Sequence, residues 1–109
     1  MTLSQAKNAL KSGNATDKGG LSQFGKQLEK HMDVNNPKRN PDVWGGGPLK
    51  GNNGAKSQTG YDQFKDVFNA PGSFSPKANK NGTVFLEKSL PDGRGVRLNR
   101  NGSFKGFID

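Results

Sequence analysis

The sequence predicts an α+β domain, with N-terminal helices packed on one face of a small twisted antiparallel sheet. Three observations carry that expectation. Apolar residues recur at helical spacing in two segments of the first two-thirds of the chain. The last third changes to short runs of strand-forming residues. The residues between those runs are ones that build tight turns.

Residues 1–20 are mostly Gln, Asn, Ser, Gly and Lys. Residues 6–10 have the content for one helical turn, but the stretch reads mainly as a flexible tether or junction, leaving 21–109 as the folded domain. In residues 21–32 (LSQFGKQLEKHM) Leu21, Phe24, Leu28 and Met32 form one helix face, and His31 borders that stripe. Asn35, Asn36 and Pro37 end the helix. Residues 35–59 form a long Asn-, Gly-, Pro- and Lys-rich stretch containing Trp44, and loops of that length are often functional. A second helix is expected over 61–69, with Tyr61, Phe64, Val67 and Phe68 on one face and Pro71-Gly72 as its stop.

Residues 83–90, 95–99 and 103–108 read as three strands, the first two joined through Pro-Asp-Gly. Pairing register decides which side chains share a face. A two-residue loop at the second hairpin sets Leu98 against Lys105 and mixes the faces. A three-residue loop of Arg100, Asn101 and Gly102, with Gly102 left-handed, pairs Leu98 with Phe104. That register sends Val96, Leu98, Phe104 and Ile108 to the core. Arg97, Asn99, Ser103 and Lys105 fall on the outer face, a polar and basic surface suited to a phosphate.

The chain has 109 residues, a formal net charge of +8 and only 28% hydrophobic residues, so it supports one small domain with a thin core. No apolar run approaches the roughly 20 residues that span a bilayer, and no basic-then-apolar leader follows Met1. Membrane passage would have to be supplied from outside this sequence. With no Cys and a single His, disulfide scaffolds and paired-His or thiolate metal sites are excluded. No carboxylate cluster for magnesium and no phosphate-loop fingerprint is present either, so neither metal nor cofactor is expected. Residues 1–58 carry nine basic and four acidic side chains and residues 59–109 carry eight and five, so the charge is no basic tail.

His31 is the default acid or base, because only its side chain titrates near neutrality unperturbed. The bland reading is an exposed histidine beside the core. Arg94, Arg97, Arg100 and Lys105 crowd the predicted hairpin; they are either a solvated sheet edge or a surface that holds nucleic-acid phosphates. Lys38, Arg39 and Lys50 add charge in the long loop. Trp44, Tyr61 and Phe74 are either base-stacking platforms or core. Thr83 and Ser103 are either phosphate donors or ordinary strand residues. These residues fit metal-free RNA cleavage, in which the 2′-hydroxyl is the nucleophile and the protein needs only proton transfer and cations. DNA hydrolysis usually calls for a metal site that is not seen here.

LSQFGKQLEKH, a variable Gly/Asn-rich middle, YDQFKDVFNAPGS and LPDGRGVRLNRNGSFKGFID resemble, over 21–109, the C-terminal toxin domains of contact-dependent growth inhibition and related Rhs proteins. The closing segment from Asp92 and the Lys30-His31 dipeptide carry the resemblance. It implies a fold like the barnase, EndoU, colicin D and RelE group of RNases, which are metal-independent and often cut tRNA. It also implies His31 as acid/base, Arg94 and Arg97 on phosphate, and an acidic cognate immunity protein as partner. Thr83, Ser103 and Lys105 rest on the register alone. The expected RNA contacts are Lys30, Lys38, Arg39, Trp44, Lys50, Arg100 and Lys105. The expected function is a ribonuclease toxin, delivered by a larger upstream protein and cutting tRNA in the cytoplasm of a neighbouring bacterium by 2′-hydroxyl transesterification. The alternatives are a non-catalytic nucleic-acid-binding module and a toxin tip with DNase activity.

Overall fold

The structure, a computed structural model, describes residues 1–109. Three helices, α1 (Leu3–Asn14), α2 (Gln23–His31) and α3 (Asn53–Asn69), precede a four-stranded antiparallel sheet. Its strands, β1 (Ser75–Ala78), β2 (Val84–Ser89), β3 (Gly95–Asn99) and β4 (Phe104–Ile108), lie in sequence order. The helices cover one face only, as the sequence predicts for an α+β fold. A short 3₁₀ turn (Pro41–Trp44) interrupts the long connection between α2 and α3.

Two regions read as irregular are helical. Residues 3–14, expected as tether, form α1, and Thr2 and Gln5 make a reciprocal capping box at its start. The helix buries only Ala9 and Gly13, and two small residues leave almost no apolar signature. Its polar side chains do the anchoring. Gln5 donates to the Arg100 carbonyl (3.0 Å), Asn8 donates to the Asn101 carbonyl (2.8 Å), and the Ser12 hydroxyl accepts from the Phe104 amide (2.7 Å). Helix α3 likewise begins at Asn53 rather than residue 61, with the Asn52 side chain accepting from the Ala55 amide. Its first turns, NGAKSQTG, show no apolar period.

Close approach, rather than bulk, joins α2 to α3. A Cβ on Gly60 would lie 2.4 Å from the Phe24 carbonyl carbon and 2.5 Å from the Gly25 nitrogen. The two backbones therefore meet directly. That approach lets Phe24 stack on Phe64 (ring centroids 4.5 Å apart) and meet Phe104 edge-on at 4.7 Å, linking both helices to the sheet. Leu28, Val67, Val96 and Leu98 complete this core with no exposed surface. Lys88 is buried on the same sheet face, where its ammonium donates to the carbonyls of Phe68 and Ala70. A cation there satisfies the unpaired carbonyl end of α3, and burial lowers its pKa.

Leu98 pairs with Phe104 across a three-residue loop, and Gly102 has φ of +92°, as the register argument requires. The ladder then slips. Arg97 pairs with Gly106 and Val96 with Phe107, leaving Lys105 as an extra residue in β4. The bulge exchanges the faces of the last residues. Phe107 is in the core, whereas Ile108, expected there, lies against the outer face. The sequence pattern also misses β1, a fully exposed edge strand containing Pro76 that pairs only with β2.

Gly60→Ala should lower the unfolding free energy by about 1–3 kcal/mol, because helix backbone has to move. Gly54→Ala, in the exposed first turn of the same helix, should be neutral or stabilising by up to about 1 kcal/mol. Urea unfolding of the two variants checks the crossing; equal stability would contradict it.

Candidate functional site

The residue after β4, the end of α2 and the 3₁₀ turn meet at one corner of the fold through the side chains of Asp109, His31 and Trp44. His31 is the last residue of α2, and the helix turns it inward so that only 6% of the residue is exposed. The ring meets Trp44 and Phe107 edge-on, with both centroids at 6.5 Å. Its Nδ1 lies 3.0 Å from Asp109 Oδ2, and the Trp44 indole Nε1 donates to that same oxygen at 3.0 Å. One carboxylate oxygen thus fixes both rings. Asp109 points this way because the β4 bulge restores it to the helix side of the sheet.

His31 Nδ1 carries the proton when it donates to the ionised Asp109, which leaves Nε2 with the free lone pair. Nε2 has no hydrogen-bond partner, yet it is not sealed off, since the sole buried side-chain nitrogen or oxygen lacking a partner is Arg39 Nε. Burial lowers the His31 pKa below its ordinary 6.5 and outweighs the opposing pull of Asp109. Arg39 and Lys30 also lower it through their charge. The neutral ring is therefore the form present at pH 7.

On the outer sheet face, beside this corner, lies an open cavity of about 470 Å³. Its lining includes Glu87, Ser89 and Arg97 from the sheet, Asn40 and Val43 near the 3₁₀ turn, and Asp109. Arg97 Nε donates to Glu87 Oε1 at 2.8 Å across β2 and β3, and the guanidinium lies over the Phe85 ring, 4.9 Å from its centroid. Asp109 belongs to both places: it binds His31 and it forms part of the cavity wall.

The sequence-predicted site residues divide into distinct groups. His31, Arg39 and Arg97 gather around this corner. Trp44 is there too, but it is buried against Phe107 and bonded to Asp109, so its ring is not an open stacking platform. Arg94 is also at this end of the sheet, yet it donates to Asp92 (2.8 Å), Gln63 (2.8 Å) and Asp66 (3.4 Å), and only 18% of its side chain is exposed. Those partners use its charge to pin the β2–β3 turn to α3. Thr83, Ser103 and Arg100 occupy turns at the opposite end, where Phe85 pairs with Asn99. From Asn99 to Gly95 is four residues of strand, about 13 Å, so these three do not reach His31. The Ser103 hydroxyl accepts from Asn99 instead. Lys30, Lys38, Lys50 and Lys105 are exposed. Tyr61 and Phe74 pack against the core.

Asp109 and Glu87 are the residues that the sequence reading missed. Neither lies in a recognisable motif, and each acquires its role from a partner that is distant in the chain. No group of three His, Cys, Asp or Glu side chains is placed to hold a metal ion.

The family model of the CdiA C-terminal tRNase toxin domain matches residues 10–109. Among solved structures, the toxic C-terminal tip of CdiA from Pseudomonas aeruginosa, in complex with immune protein, superposes with a TM-score of 0.77. It is 42% identical, and the alignment covers 90% of this chain and 98% of that one. No curated protein matches.

His31 should titrate below 6.5 when followed by NMR, and Asp109→Asn should move it lower still by removing the groups that raise it. The unfolded chain binds the proton first on acidification. The His31 contribution to stability is therefore complete above pH 6.5 and declines as pH falls toward the lowered pKa. A titration at or above 6.5 would show that burial does not dominate.

Proposed function

This chain belongs to the CdiA C-terminal tRNase toxin domain family, and from that membership and the site geometry we propose that it is an endoribonuclease toxin that cuts tRNA. A larger cell-surface protein delivers it into target cells, and a cognate immunity protein neutralises it. Its site of action is the target-cell cytoplasm, where tRNA is found. We take the toxin unit to include α1, because α1 bonds to the β3–β4 turn.

The observation that supports this reading best is an open cavity lined by Arg97, Glu87 and Asp109, the last of which also anchors the His31 imidazole. The role of each group follows from its chemistry. Arg97 holds the scissile phosphate and stabilises the charge that builds on it. His31 Nε2, unprotonated at pH 7, takes the proton from the ribose 2′-hydroxyl. The 2′-oxygen bonds to phosphorus as the bond to the 5′-oxygen breaks, and that oxygen takes a proton from solvent. The products are a 2′,3′-cyclic phosphate and a 5′-hydroxyl. Asp109 keeps the imidazole in the tautomer this requires. The RNA supplies its own nucleophile, so the scheme calls on no metal. Arg39, Lys30, Lys38, Lys50 and Lys105 attract the RNA backbone by their charge. Arg94, Thr83, Ser103 and Arg100 lie outside the chemical step, and Trp44 acts through Asp109.

His31→Ala should reduce tRNA cleavage about 10²–10⁴-fold while the wild-type enzyme cuts equally well in EDTA. The wild-type rate should fall on the acid side with a midpoint below 6.5, the point at which His31 gains its proton. Mapping of RNA ends after induction should find cyclic-phosphate termini. Undiminished cleavage by His31→Ala, or loss of cleavage in EDTA, would overturn the assignment. A large loss in His31→Gln without that acid limb in the wild-type profile would make His31 a support for Asp109 instead.

A further inference from the structure

We propose that Glu87 and Phe85 are positioning residues that aim Arg97 as a phosphate fork, an inference that rests on the tRNase reading above. Glu87 lies opposite Arg97 in the β2–β3 ladder, and both side chains are on the outer face. The ion pair uses Nε alone (2.8 Å to Glu87 Oε1), and no ion pair or hydrogen bond engages Nη1 or Nη2. Phe85, two residues before Glu87 and on the same face, supports the flat side of the guanidinium at 4.9 Å. The group is therefore held on one edge and one face. Its remaining edge presents two parallel N–H donors, the geometry that matches two oxygens of a phosphodiester.

The exposures agree with this division. The Arg97 side chain is 42% exposed and that of Glu87 is 19%. A carboxylate in an RNA site costs affinity by repelling phosphate. Glu87 sits at the Nε edge of the guanidinium and is the less exposed of the two, and its effect is on geometry. Exposed arginines such as Arg100, on a turn with no such support, lack this fixed aim. The floor comes from the fold. Phe85 is only 8% exposed although it lies on the face opposite the helices, and Arg97 lies over its ring.

Steady-state cleavage of tRNA by Glu87→Ala, Glu87→Gln and Arg97→Lys tests the assignment. Glu87→Ala should lower kcat about 100-fold, the scale of a misplacement near 1 Å, with KM unchanged or reduced because a negative charge has gone. Glu87→Gln keeps an acceptor oxygen for Nε and should recover most of that kcat. Arg97→Lys, which has the charge without the fork, should be as impaired as Glu87→Ala. A second readout does not depend on cleavage. Inorganic phosphate titrated into the intact chain should shift the Arg97 side-chain NMR signals in the wild type and in Glu87→Gln, and require higher concentrations in Glu87→Ala. If Glu87→Gln is as inactive as Glu87→Ala, the carboxylate itself takes part in proton transfer and the proposal falls. It falls equally if Glu87→Ala cleaves like the wild type. If the wild type fails to cut tRNA, the tRNase reading fails, and the phosphate titration still decides whether Glu87 aims Arg97.

Discussion

The extra residue at Lys105 decides where the corner of this molecule points. A β-strand alternates faces, so an unbroken β4 beginning with Phe104 inward would carry Gly106 and Ile108 inward and Asp109 outward. The bulge between Phe104 and Gly106 reverses that order. Phe107 then fills the core between His31, Trp44 and Phe104. Asp109 turns toward the end of α2, where its oxygen receives His31 and Trp44. Ile108 moves out to the cavity wall. One inserted residue thus joins the sheet register to the orientation of the histidine.

The other constraint is the contact of α2 with α3. Side chains at Gly25 or Gly60 would separate the helices, and Phe24 could not stack on Phe64 while also meeting Phe104. Because α2 ends at His31, its placement sets how deeply the imidazole enters the corner. The core that holds this arrangement is small and aromatic. Polar anchors supplement it: the Lys88 ammonium on the end of α3, the Arg94 bonds to Gln63 and Asp66, and the α1 side chains on the β3–β4 turn. A chain with few apolar residues uses such directed bonds to fix elements that a thicker core would hold by burial.

The two halves of the site have different electrostatic duties. His31 is buried, so its charged form is disfavoured and the free ring nitrogen is basic without competition from a bound proton at pH 7. Arg97 is partly exposed on the outer face, paired through Nε with Glu87. The titrating group is thus inside and the permanent charge outside. Asp109 touches both, bonding to His31 and forming part of the cavity wall.

The sequence alone determined the α+β class, the second and third helices' apolar faces, and the Leu98–Phe104 register, because each is written in local periodicity or in turn residues such as Gly102. It also singled out His31 and Arg97, and the resemblance led to the right family. It could not disclose α1, whose buried residues are Ala9 and Gly13 and whose anchors are polar side chains reaching over ninety residues along the chain. Nor could it separate Arg97 from Arg94, since both sit in one basic segment, and only their partners distinguish a guanidinium bonded through Nε alone from one bonded to three side chains. Thr83 and Ser103 looked equally available until the sheet placed them at its far end. The bulge at Lys105, and with it Asp109, was decided by tertiary structure alone: face exchange depends on how β4 pairs with β3 and packs under α2, and neither contact is local.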